Sequence, residues 1–268
     1  MLKISILTLS FNQSKYLMQA IDSVRNQNYS NWEMFIIDPG SSDNSRKIAL
    51  DYSIKDSRIK LVFENDEGPA DGLNRGLQRI TGDILGCLNS DDFYQDNVFR
   101  EVVDVFDRYP SADCIYSHGM ILKSGRMVFQ SSDSFSIKRY FSNRALIMQQ
   151  STFFRVSSLS RLNVTFNKQN KSSWDGEFLL DLASEGGVFK KVLGNWGVFR
   201  IYADSITGSK RLKNLALQDN LRMLNKQKIS KLRISISAKL VMKLRLYSLY
   251  RLLRNYWIAN FVLKFPKN

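Results

Sequence analysis

The strongest constraint on the fold is a regular alternation of apolar and amphipathic segments over the first 109 residues. Short runs that are apolar or β-branched predict buried strands at residues 3–9, 32–37, 59–63 and 84–88. Helical periodicity is found at residues 15–25, 45–52, 70–80 and 98–109. Strands that are apolar on both faces and separated by helices are typical of a parallel sheet covered on both sides. The sequence therefore predicts an α/β fold with a mostly parallel central sheet flanked by helices.

The second half of the chain continues this pattern less regularly. Further strands are predicted at residues 114–117, 126–130, 188–193 and 198–201, and a helix at 175–185 that ends at two glycines. From residue 212 the pattern is helical and rich in Leu, Tyr, Lys and Arg. We therefore predict one α/β domain over residues 1–208 and a basic, amphipathic helical tail over residues 209–268.

Polar loops follow three of the predicted strands, at residues 10–12, 38–43 and 89–92, and a fourth acidic loop spans 64–76. The carboxyl ends of parallel strands meet at one edge of a sheet, so these loops converge on one crevice. An acidic, hydroxyl-rich crevice suits a nucleotide diphosphate held through a divalent metal. No Gly-x-Gly-x-x-Gly follows the first strand, and no phosphate loop ending in Gly-Lys-Ser/Thr occurs, so a dinucleotide fold and a P-loop are excluded.

Two adjacent carboxylates, Asp91 and Asp92, directly follow the strand predicted at 84–88. Like charges repel, and their unpaired burial is costly. A hard cation such as Mg²⁺ or Mn²⁺ relieves both penalties, because it takes carboxylate oxygens as ligands. The alternative is that Asp91 caps the next helix and Asp92 lies in its first turn.

Cysteine and histidine are scarce. Cys87 and Cys114 both lie in apolar, strand-like runs and are expected to be buried thiols in a reducing compartment. The single histidine, His118, excludes a metal site built from several histidines. The chain opens directly into a strand without a secretory signal, and no uncharged apolar run is long enough to span a bilayer, so we expect a cytoplasmic location.

The positive charge is concentrated in the tail. The net charge is +14, yet residues 209–268 hold 15 of the 39 Lys and Arg and a single acid, Asp219. Residues 239–265 mix these charges with Leu, Tyr and Trp, which fits a helix lying on the anionic inner face of the cytoplasmic membrane. The alternative is a helix packed on the body with its Lys and Arg in solvent. No nucleic-acid-binding motif occurs, so no nucleic-acid partner is expected.

Four ordered segments are similar to those of the family 2 glycosyltransferases of GT-A fold: ISILTLSFN (4–12), IDPGSSD (37–43), DEGPADGLNRG (66–76) and LNSDD (88–92). Two later segments, SWDGEFLLDL (173–182) and FRIYADSI (199–206), resemble the family's base-bearing helix and its late Arg-x-His-x-x-Ser segment. The resemblance covers about residues 2–208. It implies a metal-dependent, inverting transfer of a sugar from a nucleotide diphosphate to a saccharide hydroxyl.

The resemblance also assigns roles to individual residues. Asp91, with Asp92 beside it, takes the place of the metal-binding carboxylate, and Asp175 takes that of the general base. Phe11 takes the place of the aromatic residue beside the donor base. The other donor-side residues are Leu9, Ser10 and Asn12 in the first loop, Asp38 in the base-reading loop, Asp71 and Asn74 in the loop facing the nucleotide, and Asn89 and Ser90.

The chain departs from the family pattern at several positions. Asn89 replaces the first carboxylate of Asp-x-Asp, so metal contact rests on Asp91, and Pro39 replaces the acid that reads a uracil edge. Tyr202 stands where a histidine is common. Trp174 precedes the expected base, which leaves Asp175 or Glu177 for that role, and both Trp174 and Glu177 are candidates for the acceptor side.

The expected protein is a hexosyl- or N-acetylhexosaminyl-transferase of surface polysaccharide synthesis, with UDP favoured as the donor nucleotide and Mn²⁺ or Mg²⁺ as cofactor. The expected acceptor is a saccharide, carried on a polyprenyl lipid. Two rival interpretations are a nucleotidyltransferase, which would release pyrophosphate, and a catalytically degenerate binding subunit.

Overall fold

The computed structural model describes residues 1–205, 212–227 and 254–255. Within these residues, nine strands form one sheet: β1 (Ile4–Leu9), β2 (Trp32–Ile37), β3 (Ile59–Val62), β4 (Ile84–Cys87), β5 (Phe93–Tyr94), β6 (Cys114–Lys123), β7 (Arg126–Gln130), β8 (Thr152–Arg155) and β9 (Phe189–Ile201). The helices are α1 (Ser14–Arg25), α2 (Ser45–Lys55), α3 (Pro69–Leu77), α4 (Val98–Arg108), α5 (Ile137–Phe141), α6 (Val156–Arg161), α7 (Trp174–Ser184) and α8 (Lys213–Lys226).

The sheet has two halves of different character. Its strand order is β3-β2-β1-β4-β8-β6-β9-β5, and β7 pairs with β6 beside this path. The pairs β3–β2, β2–β1 and β1–β4 are parallel, which confirms the prediction from the first half of the sequence. Beyond β4, the pairs with β8, β7 and β5 are antiparallel, and only β6–β9 is parallel. The sheet is therefore mixed, and parallel chiefly in its first half.

Two strands were not predicted, and one differs from its prediction. β8 occupies the centre of the sheet although it has only four residues, and β5 has two, which is too short for a hydrophobic period to show. The two strands predicted at 188–193 and 198–201 are one continuous strand, β9. Gly194 and Asn195 interrupt its apolar pattern, and register shifts against β6 occur near His118.

Alternation along the parallel strands divides the core into two layers. Met34 and Ile36 face the layer covered by α1 and α4, whereas Phe35 and Ile37 face the layer covered by α3 and α7. Cys87 and Cys114 are buried free thiols within the second layer, as predicted. Burial on both faces explains why the first four strands are almost continuously apolar.

Glu33 is a charged exception in β2, and it is only 1% exposed. Lys3 Nζ and Lys60 Nζ approach its carboxylate at 2.8 and 2.7 Å, and Ser5 Oγ and Thr81 N donate to it at 2.7 and 2.6 Å. Burial alone would raise the pKa of Glu33, but these hydrogen bonds outweigh burial and lower it to about 2. The carboxylate thus ties β1, β2, β3 and the chain entering β4 together at the end of the sheet opposite the polar loops.

Helix α8 packs against α7. Met223 is 1% exposed, Lys226 Nζ lies 2.7 Å from an Asp181 carboxylate oxygen, and Arg222 pairs with Glu177. This start of the tail therefore packs on the body through a buried methionine and two ion-paired basic residues. The interval 239–265, to which the membrane prediction refers, lies outside the described residues except for Arg254 and Asn255. No helix within the described residues is long and apolar enough to cross a bilayer.

We predict that Glu33→Gln lowers the free energy of unfolding by about 2 kcal/mol, because it weakens the charge-assisted hydrogen bonds of a buried carboxylate to two partly exposed lysines. The group has a lowered pKa in the folded state, so its stabilisation is complete above about pH 4.5 and is lost as the pH falls towards 2. Urea unfolding at neutral and acidic pH measures both effects, with exposed Glu185→Gln as the matched control. Equal stability of wild type and Glu33→Gln at neutral pH would contradict the assignment.

Candidate active site

A cavity of about 780 Å³ opens at the carboxyl ends of β1 and β4. Eight of the residues predicted from sequence line it: Leu9, Ser10, Phe11, Asn89, Ser90, Asp91, Trp174 and Asp175. Phe11 is 58% exposed, so its ring is free to contact a ligand. The convergence of loops after the parallel strands, which the sequence predicted, is thus present.

Asn12 and Asp38 do not line the cavity, and their side chains instead bond to the loop after β2. Asn12 Oδ1 accepts a hydrogen bond from the Ser42 backbone N–H at 2.8 Å. Asp38 is buried, and its Oδ1 accepts from the N–H groups of Gly40 and Ser41 and from Arg46 Nε. The Asn12 bond holds the loop after β2 against the loop after β1, and the Asp38 bonds fix the loop after β2 itself.

Asp71 and Asn74 also lie outside the cavity lining. Asp71 is 2% exposed and is paired with Lys168 at 2.6 Å and with Arg75 at 3.2 Å. The Asn74 carboxamide donates to the carbonyl of Phe166 and accepts from its N–H. The structure therefore uses both side chains of α3 to anchor the segment that leads into α7.

The two adjacent aspartates point to different environments. The Asp91 carboxylate is at the cavity wall, where Oδ2 accepts from the Tyr202 hydroxyl at 3.1 Å. Asp92 is 1% exposed and outside the cavity lining, and it accepts hydrogen bonds from Gln150 Nε2 at 2.6 Å and from the Arg200 N–H at 2.8 Å. Neither is a helix cap, because the helix that follows, α4, begins only at Val98.

Burial raises the pKa of Asp91, and burial together with the neighbouring Asp91 charge raises that of Asp92. No group of three or more His, Cys, Asp or Glu side chains in the described residues forms a metal-binding cluster. Of this pair, only Asp91 lines the cavity, so it is the carboxylate that can contact a ligand there.

Asp175 lies in the first turn of α7 and lines the same cavity as Asp91. The N-cap position belongs to Ser173, which makes no side-chain capping bond, so Asp175 is not the cap. Burial raises the pKa of the Asp175 carboxyl above its usual value. A carboxylate that faces a ligand cavity with a raised pKa has the properties of a general base.

The two acceptor-side candidates, Trp174 and Glu177, lie in different environments. Trp174 lines the cavity, whereas Glu177 is 1% exposed and turns into the protein. Both oxygens of Glu177 are occupied by Arg222, each at 2.6 Å, and by the carboxamides of Asn167 and Asn170. Glu177 therefore does not line the cavity, and of the two residues predicted as the base only Asp175 does.

Several residues that line the cavity were not predicted from the sequence to belong to the site. They come from β6, β7 and the segment before β8: Ile121, Gln130, and residues 146–150. Their predominantly apolar character does not distinguish them from core residues until the tertiary structure places them. Asp66 also lines the cavity, and it lay inside the acidic loop that the sequence did single out.

Comparison with known proteins agrees with this architecture. The structure matches S. aureus TarS 1–349 in complex with UDP-GlcNAc with a TM-score of 0.64 and 16% identity, over 80% of this chain and 66% of that chain. It matches the mannosyltransferase PcManGT from Pyrobaculum calidifontis, in complex with GDP-Man and Mn²⁺, with a TM-score of 0.63 and 15% identity, over 85% and 65% of the two chains. The fold is that of the GT-A glycosyltransferases.

The family model described as Glycosyl transferase family 2 matches residues 5–169, and the chain belongs to that family. Chondroitin synthase of Escherichia coli is 26% identical over 192 residues, which are 70% of this chain and 27% of that protein. This and two other curated relatives are matched over only 27% to 36% of their own lengths.

Proposed function

We propose that the protein transfers a sugar from a nucleotide diphosphate donor to a hydroxyl of a saccharide acceptor, with inversion at the anomeric carbon. The observation that carries the proposal is that Asp91 and Asp175 line one cavity at the carboxyl ends of the strands. One carboxylate can serve the diphosphate, and the other the acceptor hydroxyl. Family membership and the nucleotide sugars named for the two structural neighbours support this division.

In this mechanism, Asp175 accepts the proton of the acceptor hydroxyl as its oxygen attacks the anomeric carbon. The bond between that carbon and the phosphate oxygen breaks on the opposite face, and the nucleoside diphosphate leaves. Positioning of the two substrates by the cavity walls supplies the remaining catalytic contribution.

The residues present fit a divalent metal that arrives with the donor. Asp91 provides a hard carboxylate oxygen at the cavity wall, and Mg²⁺ commonly uses one or two carboxylates together with substrate phosphates and water. A bound Mn²⁺ or Mg²⁺ would neutralise charge on the leaving diphosphate. Asp92, whose oxygens are engaged by Gln150 and Arg200, would act by holding the loop that bears Asp91.

The finer proposals concern the substrates. We propose UDP as the donor nucleotide and a hexosyl or N-acetylhexosaminyl group as the transferred sugar, supported by the UDP-GlcNAc named for TarS. The acceptor is a growing surface polysaccharide on a polyprenyl lipid. The similarity to chondroitin synthase supports a polysaccharide product, and the apolar cavity wall at Ile121, Ile147 and Phe199 supports an amphipathic acceptor.

We also propose that the protein acts on the inner face of the cytoplasmic membrane, bound through the basic residues of the tail beyond α8. This rests on the concentration of Lys and Arg among aromatic and aliphatic residues there.

Substitution of Asp175 and of Asp91 should affect different steps, namely transfer and donor binding. Asp175→Asn is expected to lower kcat by at least about 100-fold while UDP binding persists, because only proton transfer is lost. Asp91→Asn is expected to weaken UDP binding in the presence of Mn²⁺. Thermal shift with UDP measures binding, and release of UDP, as opposed to pyrophosphate, measures transfer and separates this reaction from nucleotidyl transfer.

The matched control is Asp104→Asn, an exposed carboxylate on α4, which should leave binding and transfer unchanged. Full transfer activity in Asp175→Asn would contradict its role as the base. Wild-type protein that binds UDP-sugars with Mn²⁺ but never releases UDP would favour the non-catalytic binding subunit.

The raised pKa of Asp175 predicts the pH dependence of transfer. The base must be ionised, so kcat should fall as the pH drops through its pKa, with a midpoint above the ordinary aspartate value of about 3.9. Initial rates against pH locate the midpoint, and circular dichroism at each pH shows that the fold persists. A midpoint at or below the ordinary value would be inconsistent with the burial of this carboxyl group.

Membrane binding should depend on the tail charges beyond α8. Replacing four of them by Gln is expected to abolish co-sedimentation with vesicles containing phosphatidylglycerol, because about 1 kcal/mol of attraction is lost per charge. The four are Lys239, Lys243, Arg245 and Arg251. A matched variant removes four exposed charges of the body, namely Lys47, Lys55, Arg100 and Arg108. Equal binding by both variants would disprove the tail's role.

A further inference from the structure

We propose that Arg222 of α8 is a positioning residue for the transfer reaction: its forked ion pair with Glu177 fixes the first turn of α7, and with it the Asp175 carboxylate. The inference rests on the proposed role of Asp175 as the base. It gives a function within the active site to a helix that the sequence assigned to a separate tail.

The Glu177 end of the ion pair is buried and both of its carboxylate oxygens are bonded, whereas the Arg222 side chain is 27% exposed. Arg222 Nη1 and Nη2 each lie 2.6 Å from a different oxygen of Glu177, whose side chain is 1% exposed. Asn167 and Asn170 donate to the same two oxygens at 2.8 and 2.7 Å. Two parallel bonds from a planar guanidinium define direction as well as distance, which a lysine ammonium cannot do.

The same network holds the start of α7. Asn170, which donates to Glu177, also accepts hydrogen bonds from the N–H groups of Ser172 and Ser173 through its Oδ1. Asp219, one turn before Arg222 on α8, accepts from the Ser172 hydroxyl at 2.6 Å. Ser172 itself lines the cavity, so contacts from α8 reach the cavity wall directly.

The same turn packs closely against α5. A Cβ built on Gly176 would lie 2.2 Å from the Tyr140 hydroxyl, so the Gly176 backbone approaches this side chain more closely than a larger residue would allow. Asp175 therefore sits in a turn that approaches Tyr140 of α5 and is linked through Glu177 and Asn170 to Arg222. The N-cap of α7, Ser173, makes no side-chain capping bond.

A base must lie within hydrogen-bond reach of the hydroxyl it deprotonates, and displacement by about 1 Å can cost about 100-fold in rate. Loss of the forked Arg222–Glu177 ion pair should thus affect turnover more than donor binding. Within the described residues, no hydrogen bond or ion pair joins Asp91 to α8. A merely structural ion pair would instead lower stability and leave kcat per folded molecule unchanged.

The test compares Arg222→Gln and Arg222→Lys with Gln227→Leu in the full-length protein. Gln227 accepts from Ser184 at the far end of α7, so its loss controls for weaker docking of α8. Both Arg222 variants are expected to lower kcat about 10- to 100-fold with UDP affinity within about twofold of wild type. Arg222→Lys keeps the charge and guards against misfolding of the glutamine variant.

A double-mutant cycle shows whether the pair acts as a unit. Glu177→Gln combined with Arg222→Gln should lose little more activity than either alone. Hydrogen exchange of residues 172–178 gives a readout that needs no turnover, and it should accelerate in the Arg222 variants but not in Gln227→Leu.

Unchanged kcat in a folded Arg222 variant, or unchanged exchange in residues 172–178, would overturn the proposal. If wild-type protein transfers no sugar, the proposed function fails, and the exchange experiment still decides whether Arg222 fixes this turn. If Asp175→Asn retains activity while Arg222→Gln loses it, Asp175 is not the base, and the inference in its stated form is overturned.

Discussion

The buried carboxylate of Asp92 is the interaction on which the geometry of the site depends. It follows β4, the last strand of the parallel half, and accepts hydrogen bonds from Gln150, before β8, and from the N–H of Arg200 in β9. One side chain thereby joins the two halves of the sheet at the edge where the cavity opens. Because a buried carboxylate without these donors would be costly, the bonds fix the short loop that presents Asp91.

Arg200 strengthens this junction through a second set of contacts. Its Nε donates to the backbone carbonyl of Asp91 at 2.8 Å, and its guanidinium lies over the rings of Tyr16 and Phe93. The loop after β4 is thus held through both its backbone and the Asp92 side chain. The Asp91 carboxylate, which accepts only from Tyr202 among the contacts described, remains at the cavity wall.

The sequence predicted the parallel half of the sheet well because burial on both faces leaves long apolar runs. It predicted the position of the site for the same reason, since polar residues at strand ends are conspicuous against such runs. It predicted side-chain roles less well. Asp38, Asp71 and Asn74 occupy the expected loops, yet they bind neighbouring backbone or basic side chains and do not line the cavity. Position along the chain shows that a residue is near a crevice, but not which way its side chain points.

The tail shows what composition alone cannot predict. Composition separated residues 209–268 from the body by charge, and that asymmetry is a property of the sequence. Charge cannot show that Arg222, within that basic region, finds a buried acid partner 45 residues away in the chain, two residues from the expected base. The boundary that composition places near residue 209 thus separates α8 from α7, although the two helices are in contact.

The sequence by itself determined the α/β class, the parallel first half, and the edge at which polar loops converge, and its family-like segments contain Asp91 and Asp175, which both line the cavity. These follow from local periodicity and from the order of motifs. Only the tertiary structure decided the central place of β8, the apolar cavity wall from residues 146–150, the structural roles of Asp92 and Glu177, and the docking of α8. Each depends on partners far apart in the chain, whose pairing is selected by burial and hydrogen bonding and is not encoded in any local pattern.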